Sequence, residues 1–328
     1  MDISCGFAPT ADAPELVAAA EQLGYRRAWM YDSPALYPDV WVALARAADR
    51  TSTIGLGPGV LVPSLRHVMV TAAATAGLAD LAPGRVALGI GTGFTGRLVL
   101  GQPALRWSEV ERYVHALREL LAGRAVEWEG SQIELIHPAG FSAPRPVDVP
   151  ILLSAMGPKG LEVAARIGDG VFSVSSPQAG FAWSAVIVYG TVLDDGEPAD
   201  SARAVAAAGP GASVLYHALW EQGLAEMLPG GEEWRSRIEA FPESERHLRV
   251  HEQHLVGINE WDRDVVTGET IAALTLTGTV AELRPRLDDL AAQGATEVVF
   301  HPGGDDPIDE LRRFAAMAEG AGQTGVVR

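Results

Sequence analysis

The chain has 328 residues and sets 42 acidic against 25 basic side chains, a formal charge of −17. A surface of that sign repels phosphate backbones and anionic bilayers, which argues against nucleic acid or membrane as a partner. With 48% hydrophobic and 20% charged residues, the chain can bury a sizeable core, and global disorder is excluded.

Short apolar runs alternate with amphipathic stretches along the chain. A run over 3–7 leads to a helix over 13–23 that stops at Gly24, and a run over 27–31 leads to a helix over 40–50. The third run, 54–62, precedes a helix over 67–81 that ends before Pro83-Gly84. The fourth, 86–90, passes through a glycine-rich loop into a helix over 107–121. A small two-stranded insert is expected over 126–136, around Glu129-Gly130. The fifth run is 150–153, its helix starting near Gly160, followed by runs over 170–174 and 184–192. A mostly helical stretch, 199–271, precedes the eighth run at 297–301 and a last helix over 307–319.

Eight strands alternating with helices predict an α/β protein, a (β/α)8 TIM barrel, as one domain over 1–328. Insertions are expected at about 123–148 and, after strand seven, 195–278. The second is helical, punctuated by segments 194–198 and 209–211, and would lie at the C-terminal face as a candidate lid. A doubly wound sheet is the competing fold, but no Gly-x-Gly-x-x-Gly turn follows the first strand. Cys5, the single cysteine, excludes a disulfide framework and a cysteine-based zinc site. No signal-peptide pattern opens the sequence, and no apolar run approaches the ~18–20 residues that span a bilayer. The expectation is a soluble, cytoplasmic protein.

In a barrel the chemistry gathers just after each strand. Asp32, after strand two, can bond a cofactor ring or move a proton, or it can simply close a turn. Strand three carries Gly55, Gly57 and Gly59, a composition that marks a bulge or a flat ligand lying close, or a strand crowded by its neighbour. Arg66-His67 opens the next helix, where the guanidinium can hold an anion or anchor the loop. The loop Gly89-Ile90-Gly91-Thr92-Gly93 exposes several backbone N–H groups. After strand five, Ser154-Ala155-Met156-Gly157-Pro158-Lys159-Gly160 places the sole lysine beside a helix start, the best phosphate candidate. His247, His251 and His254 have the spacing to share one helical face, as a polar pocket, a solvated face or a metal site. The polar pocket or solvated face is favoured, and no metal is assigned.

The stretch GLGPGVLVPSLRHV, continuing to GRVALGIGTGF, resembles the luciferase-like monooxygenase superfamily, as do PVDVPILLSAMGPKGLEVAARIGDGVF and the C-terminal TLTGTVAELRPRLDDLAAQGATEVVFHPGG. More narrowly it is similar to the deazaflavin branch, the coenzyme F420-dependent reductases and dehydrogenases. That resemblance implies a TIM barrel, usually a homodimer, with a cofactor at its C-terminal face. A strand-three bulge, often with a cis peptide, maps onto Gly59, Val60 and Leu61 and would back the ring. Gly91, Thr92 and Gly93 would lie beside it, and Ala155, Met156, Gly157, Pro158, Lys159 and Gly160 would hold the phosphate. The sequence departs where several relatives have a His or Glu after strand two or four; here stand Asp32-Ser33 and Gly93-Phe94.

The leading expectation is hydride transfer between F420 and a C=C, C=N or C=O bond of a small organic substrate, with Asp32, His251 or His254 as proton donor. The alternative keeps the fold but uses reduced FMN and oxygen, a two-component monooxygenase fed by a separate reductase. A metal-dependent hydrolase and a catalytically silent cofactor binder are the remaining alternatives. The hydrolase is disfavoured because His and Asp are scarce at the strand ends.

Overall fold

The computed structural model describes residues 1–319; the final residues 320–328 of the expected domain lie outside the described residues. Eight strands form one parallel sheet: β1 (Asp2–Phe7), β2 (Arg27–Met30), β3 (Gly55–Pro58), β4 (Leu88–Gly91), β5 (Ile151–Ser154), β6 (Gly170–Val174), β7 (Ser184–Tyr189) and β8 (Glu297–His301). They run in the order β3-β2-β1-β8-β7-β6-β5-β4, and the two ends meet through parallel bridges Leu56–Val86 and Leu61–Ile90. The sheet thus closes on itself as the expected (β/α)8 barrel, and the doubly wound alternative falls away. Among the described residues, no helix is long and apolar enough to cross a membrane.

Alternate strand residues go to two different cores, as the two-residue side-chain period requires. Ala28, Ile151, Leu153, Val186, Val188, Val298 and Phe300 join the surrounding helices in one large cluster. Trp29, Leu152, Phe172, Ile187 and Val299 fill the barrel interior. Helix Trp107–Leu121 shows how the outer layer is encoded: Val110, Val114, Leu117 and Leu121 recur at helical spacing and are buried, while the opposite face is charged.

Near the N-terminal ends of the strands, Glu297 accepts the indole N–H of Trp29 at 2.9 Å and of Trp183 at 2.7 Å. The Arg27 guanidinium lies 4.8 Å from the Trp183 ring centroid. This closed polar plug is at the structural end of a barrel, away from the face that carries chemistry.

The seam between β3 and β4 is irregular. From Leu56 to Leu61 the chain takes five residue steps, while the bridging partners Val86 to Ile90 take four (61 − 56 against 90 − 86). One extra residue makes a β-bulge, and the Gly59-Val60 peptide within it is cis. The glycines there are steric requirements: a Cβ on Gly57 would sit 2.0 Å from the Ala87 carbonyl oxygen.

One connection is irregular and two expectations are corrected. The connection between β6 and β7, residues 175–183, contains no helix. The seventh run is shorter than the apolar stretch suggested, because Val192–Leu193 leaves the barrel and pairs with Gly278–Thr279. Segment 209–211 does not interrupt the insertion: helix Ala202–Trp220 runs through it, with Pro210 inside. The glycines serve packing instead, since a Cβ on Gly211 would lie 2.2 Å from Tyr189 Cβ and one on Gly209 would lie 2.6 Å from Ile258 Cδ1. The two-stranded insert does form, Val126–Trp128 against Ser131–Ile133, with positive φ at both Glu129 and Gly130 as a primed hairpin turn requires.

Gly57→Ala is expected to lower stability by about 3 kcal/mol, because neither the Ala87 backbone nor the barrel wall can retreat. Gly77→Ala, in the middle of helix Val68–Leu81 with open space around it, is expected to raise stability by about 0.5–1 kcal/mol. Chemical denaturation of the two variants beside the parent decides this, and equal effects would refute the seam as a steric constraint.

Candidate active site

A cavity of about 390 Å³ opens at the C-terminal ends of the strands. Its barrel side is built by Gly59 and Val60 of the bulge, Gly91, Thr92 and Gly93 after β4, and Met156 after β5. Its other side comes from the insertion, where helix Ala202–Trp220 supplies Val214, Leu215 and His217, and the following turns supply His251, His254 and Leu255. Sequence positions far apart are thereby brought to one space.

Of the expected site residues, Asp32, Gly59, Val60, Gly91, Thr92, Gly93, Met156, His251 and His254 line this cavity. Leu61 and Ala155 are instead buried in the large core. Gly157, Pro158 and Lys159 lie exposed just past the rim, at the start of helix Pro158–Ile167. Gly160 is buried, and its lack of a side chain is set by Trp107, whose Cζ2 would stand 2.5 Å from a Cβ.

Asp32 faces the cavity but is not free. The Arg66 guanidinium bonds its carboxylate at 2.5 Å and reaches Asp39 at 2.7 Å, so one cation clamps two acids. Burial raises the Asp32 carboxyl above its ordinary range, while the Arg66 guanidinium pulls the other way. Asp39 also caps helix Val40–Ala48 through the N–H of Trp41, and its carboxyl is held below the ordinary range by Arg66 and these N–H groups against a cost of burial. Arg66 therefore anchors the loop, one of the two roles open to it in the sequence.

The histidine arrangement differs from the expected one. Helix Arg246–Val250 ends at His251, and Gln253 and Leu255 take positive φ, so His247, His251 and His254 do not share a helical face. His247 lies beside Gly101 instead. The third member of the cluster is His217, which meets His254 Nδ1 to Nδ1 at 3.1 Å, while His251 meets His254 the same way at 3.4 Å. Burial among other imidazoles pushes His254 well below the ordinary histidine range and also lowers His251.

A second pair escaped the sequence reading. His301 ends β8, and its Nε2–H donates to the Leu255 carbonyl at 3.0 Å. Its Nδ1 therefore accepts the hydroxyl of Tyr31, at 2.7 Å, and Tyr31 lines the cavity. The signal was present: a histidine at the C-terminal end of a barrel strand is where functional groups gather. His217 gave no such signal, because a lone histidine inside an alanine-rich helix has no local pattern.

The family model for luciferase-like monooxygenase matches residues 5–297. The chain belongs to the luciferase-like monooxygenase family. Among curated luciferase-like relatives, it is 33% identical over 158 residues to the 5,10-methylenetetrahydromethanopterin reductase of Methanolobus tindarius, covering 46% of each chain. It is also 33% identical over 187 residues to the F420-dependent glucose-6-phosphate dehydrogenase of Nakamurella multipartita, covering 52% of this chain and 53% of that one. The chain spans about half the length of the curated relatives it matches. Its fold is similar to the coenzyme F420-dependent tetrahydromethanopterin reductase from Methanopyrus kandleri, with a TM-score of 0.67 over 96% of this chain and 98% of that one. At 18% identity that likeness is one of fold.

Burial lowers His301 from 6.5 to about 4, so the folded protein keeps this imidazole neutral where the unfolded chain protonates it. Its contribution to stability is complete above pH 6.5 and is lost as the pH falls toward 4. Between those limits the loss from this group is on the order of 3 kcal/mol. Urea unfolding at pH 7 and pH 5 should show a smaller difference for His301→Gln than for the parent. An unchanged difference would clear His301 as the titrating group.

Proposed function

We propose that this chain is an F420-dependent oxidoreductase that transfers a hydride between the deazaflavin and a C=C, C=N or C=O bond of a small organic substrate. The observation that carries the reading is one cavity joining the Gly59-Val60 bulge and the Gly91–Gly93 loop to the acid and histidine groups. The named activities of the relatives matched over about half their length support it.

The residues present fit such a group. At the bulge and the β4 loop the cavity wall is glycine backbone with the short side chains of Val60 and Thr92, a surface that admits a flat ring. Just outside the rim, helix Pro158–Ile167 begins at Gly157, which has no side chain to cap it and nothing within 4 Å of a would-be Cβ. An uncapped helix start with Lys159 beside it suits a phosphate. Gly59, Val60, Gly91, Thr92 and Gly93 would hold the ring, and Gly157 with Lys159 the phosphate.

When bound, F420 supplies or accepts the hydride at a ring carbon. The chain's own part is to orient the substrate, to exclude water and to manage one proton. Asp32 is the candidate on the barrel side, restrained by Arg66; His251 and His254 are the candidates on the insertion side. Tyr31, backed by His301, is a further hydroxyl within the cavity wall. The family resemblance further supports a homodimer in the cytoplasm, which sedimentation and fractionation would test.

Titration with F420 and, separately, with FMN is read by quenching of the eight tryptophans. Tight F420 and weak FMN binding is expected; the reverse would replace this reading with the two-component monooxygenase and its separate reductase. Gly157→Asp puts a carboxylate where the phosphate would sit, and should weaken F420 at least about tenfold, ~1.4 kcal/mol, without lowering the melting temperature. Unaltered F420 affinity in that variant would remove the helix start from the site.

A further inference from the structure

We propose that the Nδ1 atoms of His217, His251 and His254 form a binding site for one divalent transition-metal ion, zinc by ligand type, with an open coordination position facing the cavity. The site stands on the geometry alone; the part its ligand plays in the reaction rests on the F420 reading.

The separations suit a shared ion. Three nitrogens bound to zinc at 2.0–2.1 Å in a tetrahedral arrangement stand roughly 3.3 Å apart. The two Nδ1 pairs through His254 measure 3.1 and 3.4 Å, and ligand atoms of all three histidines lie within 4.8 Å of one another.

Proton counting points the same way. His217 Nε2 lies 2.9 Å from Asp262 Oδ2, and His251 Nε2 lies 3.3 Å from Glu221 Oε1. A carboxylate only accepts, so both Nε2 atoms carry a proton, and in the neutral imidazoles that a metal ion requires both Nδ1 atoms are bare lone pairs. These converge on the Nδ1 of His254, whose single proton, if present there, cannot properly satisfy both. A cation satisfies all three lone pairs at once. The three residues are 1%, 1% and 6% exposed, so bulk water competes poorly for them.

The surroundings are those of a metal site. Ligating histidines characteristically donate their remote N–H to a carboxylate, as two of these do. Asp262 is itself fixed by the Trp234 indole at 2.8 Å and by its own backbone N–H on Asn259 Oδ1 at 2.8 Å. Two carboxylates behind two ligands balance a dication. All three imidazoles also line the cavity, so the protein supplies three ligands and leaves the next position to whatever occupies that space. Three imidazoles with one open position are the composition of catalytic rather than structural zinc sites. An ion there binds a ligand with an oxygen lone pair, which narrows the substrate class to carbonyl compounds and alcohols over plain alkenes.

The test uses the full chain. The purified protein is stripped with a chelator, titrated with Zn2+ and with Co2+, and its metal content is measured after desalting. About one equivalent of either ion is expected, with visible cobalt d–d bands that shift on adding acetohydroxamate as an oxygen-donor probe. His217→Ala should lose stoichiometric binding, Asp262→Asn should weaken it about 10–100-fold, and His247→Ala should leave it unchanged. The absence of stoichiometric zinc or cobalt in the parent overturns the proposal without reference to any variant. Binding by His217→Ala equal to the parent overturns the ligand set, and cobalt bands indifferent to the probe overturn the open position. F420 titration of the metal-free samples reports separately on the cofactor reading, so the two can fail independently.

Discussion

The closure of the barrel at β3 and β4 is the constraint from which the site follows. Two strands meet there so closely that backbone takes the place of side chains. A Cβ on Gly89 would lie 2.8 Å from Val60 Cγ1, and one on Gly91 would lie 2.9 Å from Val60 Cγ2. Val60 thus occupies the space that two residues of the neighbouring strand give up. The extra residue in the bulge lets the strand turn Gly59 and Val60 toward the cavity while Leu61 returns to the ladder, its N–H donating to the Gly89 carbonyl at 2.8 Å. Side chains larger than glycine along this seam would open the barrel and fill the cavity together. Fold and site share one cause.

The insertion answers that wall with a second one, by the same device. Gly211 lets helix Ala202–Trp220 lie directly on Tyr189 at the end of β7. From that contact the helix carries Val214, Leu215 and His217 over the mouth of the barrel. The insertion has its own apolar centre, with Tyr216, Trp234, Ile238 and Val250 buried together, which makes the position of His217 a consequence of packing. Helix and barrel are braced where the Gly211 backbone meets the Tyr189 side chain, so packing positions the wall that holds the histidines.

What was legible in the sequence was local. Apolar runs of strand length, glycine stops and amphipathic helices gave the eight strands and the outer helices, because each depends on residues within a few positions of one another. The bulge was legible because three glycines in five positions are anomalous for a strand. What escaped depended on distance in the chain. Gly209-Pro210-Gly211 reads as a break by intrinsic propensity, yet tertiary packing uses those glycines and keeps the helix. His247, His251 and His254 read as a helical triad, yet the helix ends before the last of them and His217 arrives from 34 residues upstream of His251 (251 − 217). Asp32 read as a cofactor-bonding or proton-moving acid or as a turn former, and its ion pair escaped because its partner Arg66 lies 34 positions on (66 − 32), beyond β3.

The polar groups divide the barrel along its axis. At one end Glu297 accepts two indole N–H groups and has Arg27 nearby, so its charge is consumed by structure. At the other end the groups are left with capacity: imidazole Nδ1 atoms turned toward each other, and a tyrosine hydroxyl whose oxygen can still accept beside a cavity. A fold seeking only stability would replace such a cluster with apolar residues, since buried polar atoms whose pairing is incomplete cost about 1–3 kcal/mol each. The chain instead surrounds its histidines with two carboxylates, an indole and an asparagine that fix their proton positions. That expenditure of buried polarity, at the chemical end of the barrel and across the cavity from its seam, is what makes the insertion a part of the candidate site.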